Sequence, residues 1–403
     1  MNYYIKNVRI IDPLNHREEK GDVIITDGKF SSEKKTGVCY EEIDGTNLYA
    51  APGFIDMHVH LRDPGFTYKE DIISGCKAAA AGGVTTLLSM PNTNPCADSP
   101  EVIEYIINKA QDADATVLPV GAISKSLGTN ELTDFEALKN SGAVALSDDG
   151  KPVKDAETMY KAMLKAKELN IPILAHCEEI SLKDSSFPNT AEDTGTARDV
   201  ALALNTGTKV HICHVSTAFS VELIRTAKKM GADITCETCP HYFSFTSDDI
   251  NNDADFKMNP PLRCEKDFIA IQEAIKDGVI DVISTDHAPH SSGEKCDYDT
   301  AMNGVIGMET SLSAGIKYLV DKNKTTYYGL VKMMSANPAK ILGIDNSISP
   351  GNRADLVIFN PDERYTVDVD KLHGKSVNTP YKNKELKGKV KYTFNGGKLV
   401  YKD

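Results

Sequence analysis

Past residue 50 the chain alternates two textures. Short apolar, β-rich runs at 48–60, 84–90, 116–123, 143–147, 171–176, 210–214, 233–238 and 279–285 are separated by stretches of helical patterning, among them 69–81, 156–169, 221–230 and 267–276. Strand-then-helix alternation is the pattern of βαβ units and a parallel sheet. Glycines stand where helices should stop, at Gly82, Gly142, Gly207, Gly231 and Gly278. A glycine just past the last turn tolerates the left-handed conformation that ends a helix. Eight such repeats predict a closed α/β architecture, the (β/α)8 barrel. A doubly wound open sheet is the competing architecture, but no G-x-G-x-x-G follows the first run.

Both ends of the chain read differently. Residues 3–11, 23–26 and 29–30 are short strands with a turn at Asp27-Gly28, and no helix is evident before residue 50. After residue 345 strands return at 355–359, 365–369, 390–394 and 398–400, with a hairpin-like Asn395-Gly396-Gly397. Residues 1–50 and 345–403 are therefore expected to meet as one small β-sandwich domain beside a catalytic barrel spanning 51–344. A length of 403 residues suits a barrel of ~250 residues plus such an accessory piece.

Charge and cysteine usage narrow the function classes. The net charge is −13 and the basic residues form no cluster, which argues against nucleic acid or an anionic membrane as partner. A small anionic substrate needs only a local positive site and stays open. The first eleven residues lack the apolar run of a signal peptide, and no stretch reaches the ~18 apolar residues of a membrane helix. Nine irregularly spaced cysteines read as free thiols in a reducing cytoplasm. Cys236 and Cys239 have C-x-x-C spacing but no second pair, so they read as buried strand residues.

The chemistry sits at the ends of the apolar runs. The first ends Asp56-Met57-His58-Val59-His60, the second Met90-Pro91-Asn92, and the fourth Ser147-Asp148-Asp149-Gly150. The fifth ends Ala175-His176-Cys177-Glu178, the sixth His211-Ile212-Cys213-His214, and the eighth Thr285-Asp286-His287-Ala288-Pro289-His290. In a β/α barrel the C-terminal strand ends carry the site. A lone strand-end histidine is usually structural, but ionisable residues at five of these six strand ends are not a chance pattern. Side chains alternate along a strand. His58 and His60 therefore share a side and can grip one metal. His211 and His214 do not, and His214 at the tip is expected in the mouth, with His211 packed outward. Of Asp148 and Asp149, one should face in. Four histidines and two aspartates give nitrogen and oxygen ligation that suits Zn²⁺, with Mn²⁺ or Co²⁺ as substitutes. Six ligands exceed the need of one catalytic zinc, so two ions ~3.5–4 Å apart, bridged by a carboxylate, are expected.

These residues resemble a known family. The run from Asp56 through Leu61-Arg62-Asp63-Pro64-Gly65 is similar to the metal-binding opening of dihydroorotases, and Thr285 to His290, with Lys295 beyond, to their second signature. Met90-Pro91-Asn92-Thr93, His214-Val215-Ser216-Thr217 and Met258-Asn259-Pro260-Pro261-Leu262-Arg263 fall between in the family's order, so the resemblance covers nearly the whole chain. The D-x-H-x-H opening alone would indicate only the amidohydrolase superfamily.

The resemblance implies roles. His58 and His60 would bind one metal, His176 and His214 the other, and Asp149 would bridge, leaving Asp148 as its hydrogen-bonding neighbour. Asp286 would ligate the first metal and act as catalytic acid and base. Arg62, Asn92 and His290 would hold a substrate carboxylate, while Asn259, Asn303 and Gly304 would line the ring. Arg62, two residues past His60, shares that residue's side of the strand, and its planar fork suits a carboxylate. As a helix cap, Asn92 has a bland alternative. His241 receives no role, His287 should point away from the metals, and His16 and His373 read as surface residues.

The implied activity is the reversible cyclisation of N-carbamoyl-L-aspartate to L-dihydroorotate, the third step of pyrimidine biosynthesis, by two Zn²⁺ per chain. A homodimer and a complex with aspartate transcarbamoylase are the implied assemblies. Two departures stand out. Many superfamily relatives bridge their metals with a carboxylated lysine, where this chain offers Asp148-Asp149, which argues against dihydropyrimidinases and hydantoinases. Many also carry an aromatic residue where this chain has Asn303. The rival functions are another cyclic-amide hydrolase such as allantoinase, an inactive dihydroorotase-like partner of a transcarbamoylase, and a single-metal nucleobase deaminase. The polar loop 291–302 reads as a candidate lid.

Overall fold

A computed structural model describes every residue of the chain except Asp184. Strands β1 (Tyr3–Asp12), β2 (Arg17–Thr26), β3 (Lys29–Ser31), β4 (Glu41–Asp44) and β5 (Tyr49–Pro52) open the chain. The barrel strands follow: β6 (Phe54–Val59), β7 (Val84–Ser89), β8 (Thr116–Ala122), β9 (Ala145–Ser147), β10 (Ile173–Ala175), β11 (Val210–Ile212), β12 (Ile234–Thr238) and β13 (Val282–Ile283). Strands β14 (Leu356–Thr366), β15 (Glu385–Asn395) and β16 (Lys398–Lys402) close it.

The expected (β/α)8 barrel is present, with β6 to β13 pairing in sequence order as one parallel sheet. Its seam is finished by side chains as well as backbone. Val59 bridges His287, and the buried Asp56 carboxylate accepts the Thr285 amide (3.0 Å) and hydroxyl (2.6 Å). Ile55, Met57, Leu88, Met90, Val120, Leu174, Cys213 and Val282 fill the barrel interior, and a larger apolar layer packs the helices around the outside. No described helix is long and apolar enough to cross a membrane.

The terminal strands form a second, mixed sheet in the order β16-β15-β14-β5-β1-β2-β3. Along its other edge β1 pairs with β4 over Tyr3–Lys6 and then with β5 at Arg9 and Ile10. Tyr3, Ile5, Val23, Phe30, Leu356 and Phe394 belong to a core of its own.

Two local expectations are corrected. The run at 48–60 is not one strand: Tyr49–Pro52 pairs with β1 and β14 in the terminal sheet, and after Gly53 the chain enters the barrel as β6. Both pieces are buried, so their apolar pattern shows no break. At the first helix (Ile72–Ala81) the left-handed glycine is Gly83 (φ 82°), since Gly82 continues in right-handed conformation. Gly142, Gly207, Gly231 and Gly278 all have positive φ, as the stop signal requires.

Candidate metal centre

The carboxyl ends of β6, β9, β10, β11 and β13 converge on one cavity of about 330 Å³. Every residue singled out from the sequence as a ligand or substrate contact lines it, except His58, which lies beneath with no exposure. The aspartate of the Asp148-Asp149 pair that joins the imidazoles is Asp149. Its Oδ1 lies 3.3 Å from His58 Nε2, 3.2 Å from His176 Nδ1 and 3.5 Å from His214 Nε2. Its Oδ2 lies 3.3 Å from His60 Nε2. Asp286 Oδ1 completes the group, 3.0 Å from His60 Nε2 and 3.6 Å from His58 Nε2.

Asp148 turns the other way. It accepts the amides of Ile123 (2.8 Å), Ser124 (2.9 Å) and Gly128 (3.1 Å), and the Ser124 hydroxyl, so it ties down the turn after β8.

The outward nitrogens of three imidazoles are engaged by acceptors. His58 Nδ1 meets Glu237 Oε1 at 2.7 Å, His60 Nδ1 meets Asn92 Oδ1 at 2.8 Å, and His176 Nε2 meets Glu178 Oε2 at 3.3 Å. A carboxylate or amide oxygen accepts the ring proton there, which leaves the inward nitrogen of each ring bare. Among the described residues His58 Nε2 and Asp149 Oδ1 are buried with no hydrogen-bond partner, and His176 Nδ1 faces His214 Nε2 at 2.8 Å. Lone pairs crowded this closely call for cations between them. The donor set fits two ions: His58 and His60 with Asp149 on one side, His176 and His214 with Asp149 on the other.

Three residues of the site hold left-handed backbone that non-glycine residues rarely adopt: Arg62 (φ 60°), His214 (φ 36°) and Asp286 (φ 48°). Each such residue costs ~1–2 kcal/mol. At His214 this conformation breaks the strand alternation, which corrects one expectation. His211 does not pack outward. It is two residues before the interior residue Cys213, just past β11, and its Nε2 reaches Glu237 Oε2 at 3.1 Å, beneath the cluster. Gly304 (φ 139°) lies against the cavity wall, where a Cβ would come within 2.8 Å of the Ala288 carbonyl oxygen.

Asn92 caps no helix, the next one starting at Pro100. His287 Nδ1 accepts the Gly307 amide at 3.2 Å, away from the cluster. Cys236 and Cys239 are buried and free. The loop beyond His290 carries a short 3-10 turn, Ser292–Lys295, and Lys295 donates to the carbonyls of Lys257, Met302 and Gly304 at 3.0–3.1 Å.

Sequence reasoning passed over Glu237, Lys69, Lys183 and Lys257. Lys183 and Lys257 line the cavity. Glu237 joins His58 to His211, and a charged residue inside the otherwise uncharged run of β12 was the one signal available for it.

Residues 49–400 match the amidohydrolase family. A protein named dihydroorotase from Geobacter metallireducens is 45% identical over 424 aligned positions, covering 100% of both chains. Another of that name, from Clostridium acetobutylicum, is 45% identical and covers 99% of both. The chain belongs to the amidohydrolase family, among its dihydroorotases. Similar solved structures include an L-hydantoinase (dihydropyrimidinase) from Arthrobacter aurescens, with TM-score 0.89, 24% identity, and 99% and 96% of the two chains covered. A dihydropyrimidinase from Brevibacillus agri has TM-score 0.88 and 25% identity over 100% and 95%. These two solved structures share the architecture of the chain.

Proposed function

We propose that this dihydroorotase-family enzyme interconverts N-carbamoyl-L-aspartate and L-dihydroorotate at a binuclear metal centre. The barrel, entered after Gly53, carries the chemistry, and the strands before and after it, β5 included, form a companion β domain. The observation that carries the choice of an anionic ring is Arg62. Its guanidinium stands in the cavity wall, and among the described residues no carboxylate lies within 4.0 Å of it. Its Nε donates to the Pro289 carbonyl oxygen at 3.1 Å, and its Nη2 lies 3.3 Å from His290 Nε2. A cation left without a counter-ion inside a cavity is satisfied by a substrate carboxylate, which a guanidinium can bind through two parallel hydrogen bonds. Neutral rings such as hydantoin or dihydrouracil bring no such group.

Two ions, Zn²⁺ in this proposal, would be held by His58, His60 and Asp286 on one side and His176 and His214 on the other, with Asp149 between. Such ions supply Lewis acidity, which polarises an amide carbonyl and makes water acidic enough to attack at neutral pH. In the hydrolytic direction water adds to the ring amide carbon, and the ring C–N bond breaks. Asp286 takes the proton of the water and returns it to the leaving nitrogen. Arg62, Asn92 and His290 hold the carboxylate, while Asn259, Asn303 and Gly304 line the ring. Glu237 and Asn92 fix the rings of His58 and His60 through their outer nitrogens. The proposal extends to a cytoplasmic homodimer that meets aspartate transcarbamoylase, which sedimentation of the chain alone and with that enzyme tests.

The deciding assay follows dihydroorotate hydrolysis by the zinc-supplied protein, with hydantoin, dihydrouracil and allantoin beside it and metal content measured on the same sample. Turnover of dihydroorotate alone with near two ions per chain supports the reading. Turnover of a neutral ring instead would transfer it to another cyclic-amide hydrolase. A chain with no metal and no turnover would be a scaffold.

A further inference from the structure

Lys69 is buried, with 6% of its surface exposed, and lies between β6 and the first helix. Its Nζ contacts Glu294 Oε1 at 2.8 Å and His290 Nδ1 at 3.3 Å. The lysine is placed from both sides. Its carbonyl accepts the Ser376 hydroxyl at 2.7 Å, and Glu294 is held by the Ser291 amide (3.0 Å) and hydroxyl (2.9 Å) and by the Tyr68 hydroxyl (3.1 Å).

An ammonium group has three N–H donors and no acceptor. Lys69 sets a pure donor 3.3 Å from His290 Nδ1, and Arg62 sets another 3.3 Å from Nε2, so the acceptor decides: it lies on the Nε2 side, which leaves Nδ1 bare and puts the ring proton on Nε2. That N–H has an acceptor in the Asn303 carbonyl oxygen at 2.9 Å. The ring takes no second proton. Burial and the two neighbouring cations, Arg62 and Lys69, push His290 down to about 3.

We propose that Lys69 is a positioning residue for substrate recognition, which locks His290 in its neutral Nε2–H form so that this N–H, which donates to the Asn303 carbonyl oxygen, is a donor that the substrate carboxylate shares beside Arg62. This rests on the reading above, in which Arg62 and His290 receive that carboxylate. The opposite tautomer has partners waiting. Its Nδ1–H would face Glu294 Oε2, now 3.7 Å away, and its bare Nε2 would accept from Arg62 Nη2 across the present 3.3 Å. That arrangement presents a lone pair to the substrate and spends a guanidinium donor on the imidazole. Lys69 excludes it. Lys69 touches none of the candidate metal ligands, so its effect belongs to binding and not to the bond-breaking step.

The test uses the metal-loaded enzyme labelled with ¹⁵N at histidine, with the His290 signal assigned by its loss in His290→Gln. Long-range ¹H–¹⁵N correlation should show a bare Nδ1 and protonated Nε2 in the parent. Lys69→Met should move the proton to Nδ1 or mix the two forms, and Lys69→Arg, also a pure donor, should restore the parent pattern. In the same variants KM for dihydroorotate should rise about tenfold in Lys69→Met with kcat within about twofold, and recover in Lys69→Arg. A parent enzyme with protonated Nδ1 overturns the proposal even if Lys69→Met does not fold. So does a folded Lys69→Met with the parent tautomer and parent KM. Absence of dihydroorotate turnover in the parent would instead sink the functional reading, while the tautomer pattern would still decide the lock.

Discussion

Asp149 Oδ1 lies 3.3 Å from His58 Nε2, and neither buried atom has a hydrogen-bond partner among the described residues. An uncompensated carboxylate among bare imidazole nitrogens is costly unless cations join them. Asp149→Asn keeps the shape and removes the charge. Metal content should fall from near two ions per chain to one or fewer. Turnover should fall by more than the ~10–100-fold typical of changes to residues that only orient metal ligands. Mass spectrometry of the metals on the assayed sample checks both. Full metal content in this variant would remove Asp149 from the centre.

The adjacent residue should behave oppositely. Asp148 holds three backbone amides and a hydroxyl of the turn after β8, so Asp148→Ala leaves buried donors unmatched. Stability should drop by ~1–3 kcal/mol, read as a lower urea midpoint, with the metal content unchanged.

Arg62→Met should separate charge recognition from chemistry. Losing one charge-assisted contact costs ~1.5–3 kcal/mol, which is roughly 10- to 150-fold in kcat/KM for dihydroorotate. The loss should sit mainly in KM, with kcat and metal content close to the parent's. A loss of metal, or an equal loss in kcat, would mean that Arg62 supports the site's structure instead.

Acid stability should depend on Asp71. This residue caps the first helix, accepting the Ser74 amide at 2.8 Å, and pairs with Lys375 at 2.6 Å. Burial works against its ionisation, but Lys375 and Ser74 outweigh it and bring the carboxyl down to about 2. A folded-state value below the unfolded ~3.9 means stabilisation that is complete above pH ~4 and lost as pH falls toward ~2. Asp71→Ala should cost ~0.5–2 kcal/mol at neutral pH. The gap between variant and parent should close across that acid window in urea titrations, and a gap that stays constant with pH would sink the assignment.

Much of the site could be read from the sequence because a barrel turns strand tips into a ring. His58, His60, Asp149, His176, His214 and Asp286 stand at or just past the ends of apolar runs, and the parallel order of those runs forces their tips together. Strand alternation failed where the backbone leaves the strand. The positive φ of His214 let both His211 and His214 turn inward, and no residue pattern announces such a torsion. The break at Gly53 was hidden because Tyr49–Pro52 and Phe54–Val59 are both buried in sheets. Glu237 and Lys69 act on histidines 179 and 221 residues away in sequence, so nothing local could reveal them.

The pairing of β5 with β14 sets an order of events during synthesis. Tyr49–Pro52 hydrogen-bonds to Leu356–Phe359, so its edge cannot be covered until the ribosome has made some three hundred further residues. At ~5–20 residues per second that interval lasts roughly 15–60 s. For that time the barrel strands emerge beside an unfinished sheet whose open edge can capture other nascent chains.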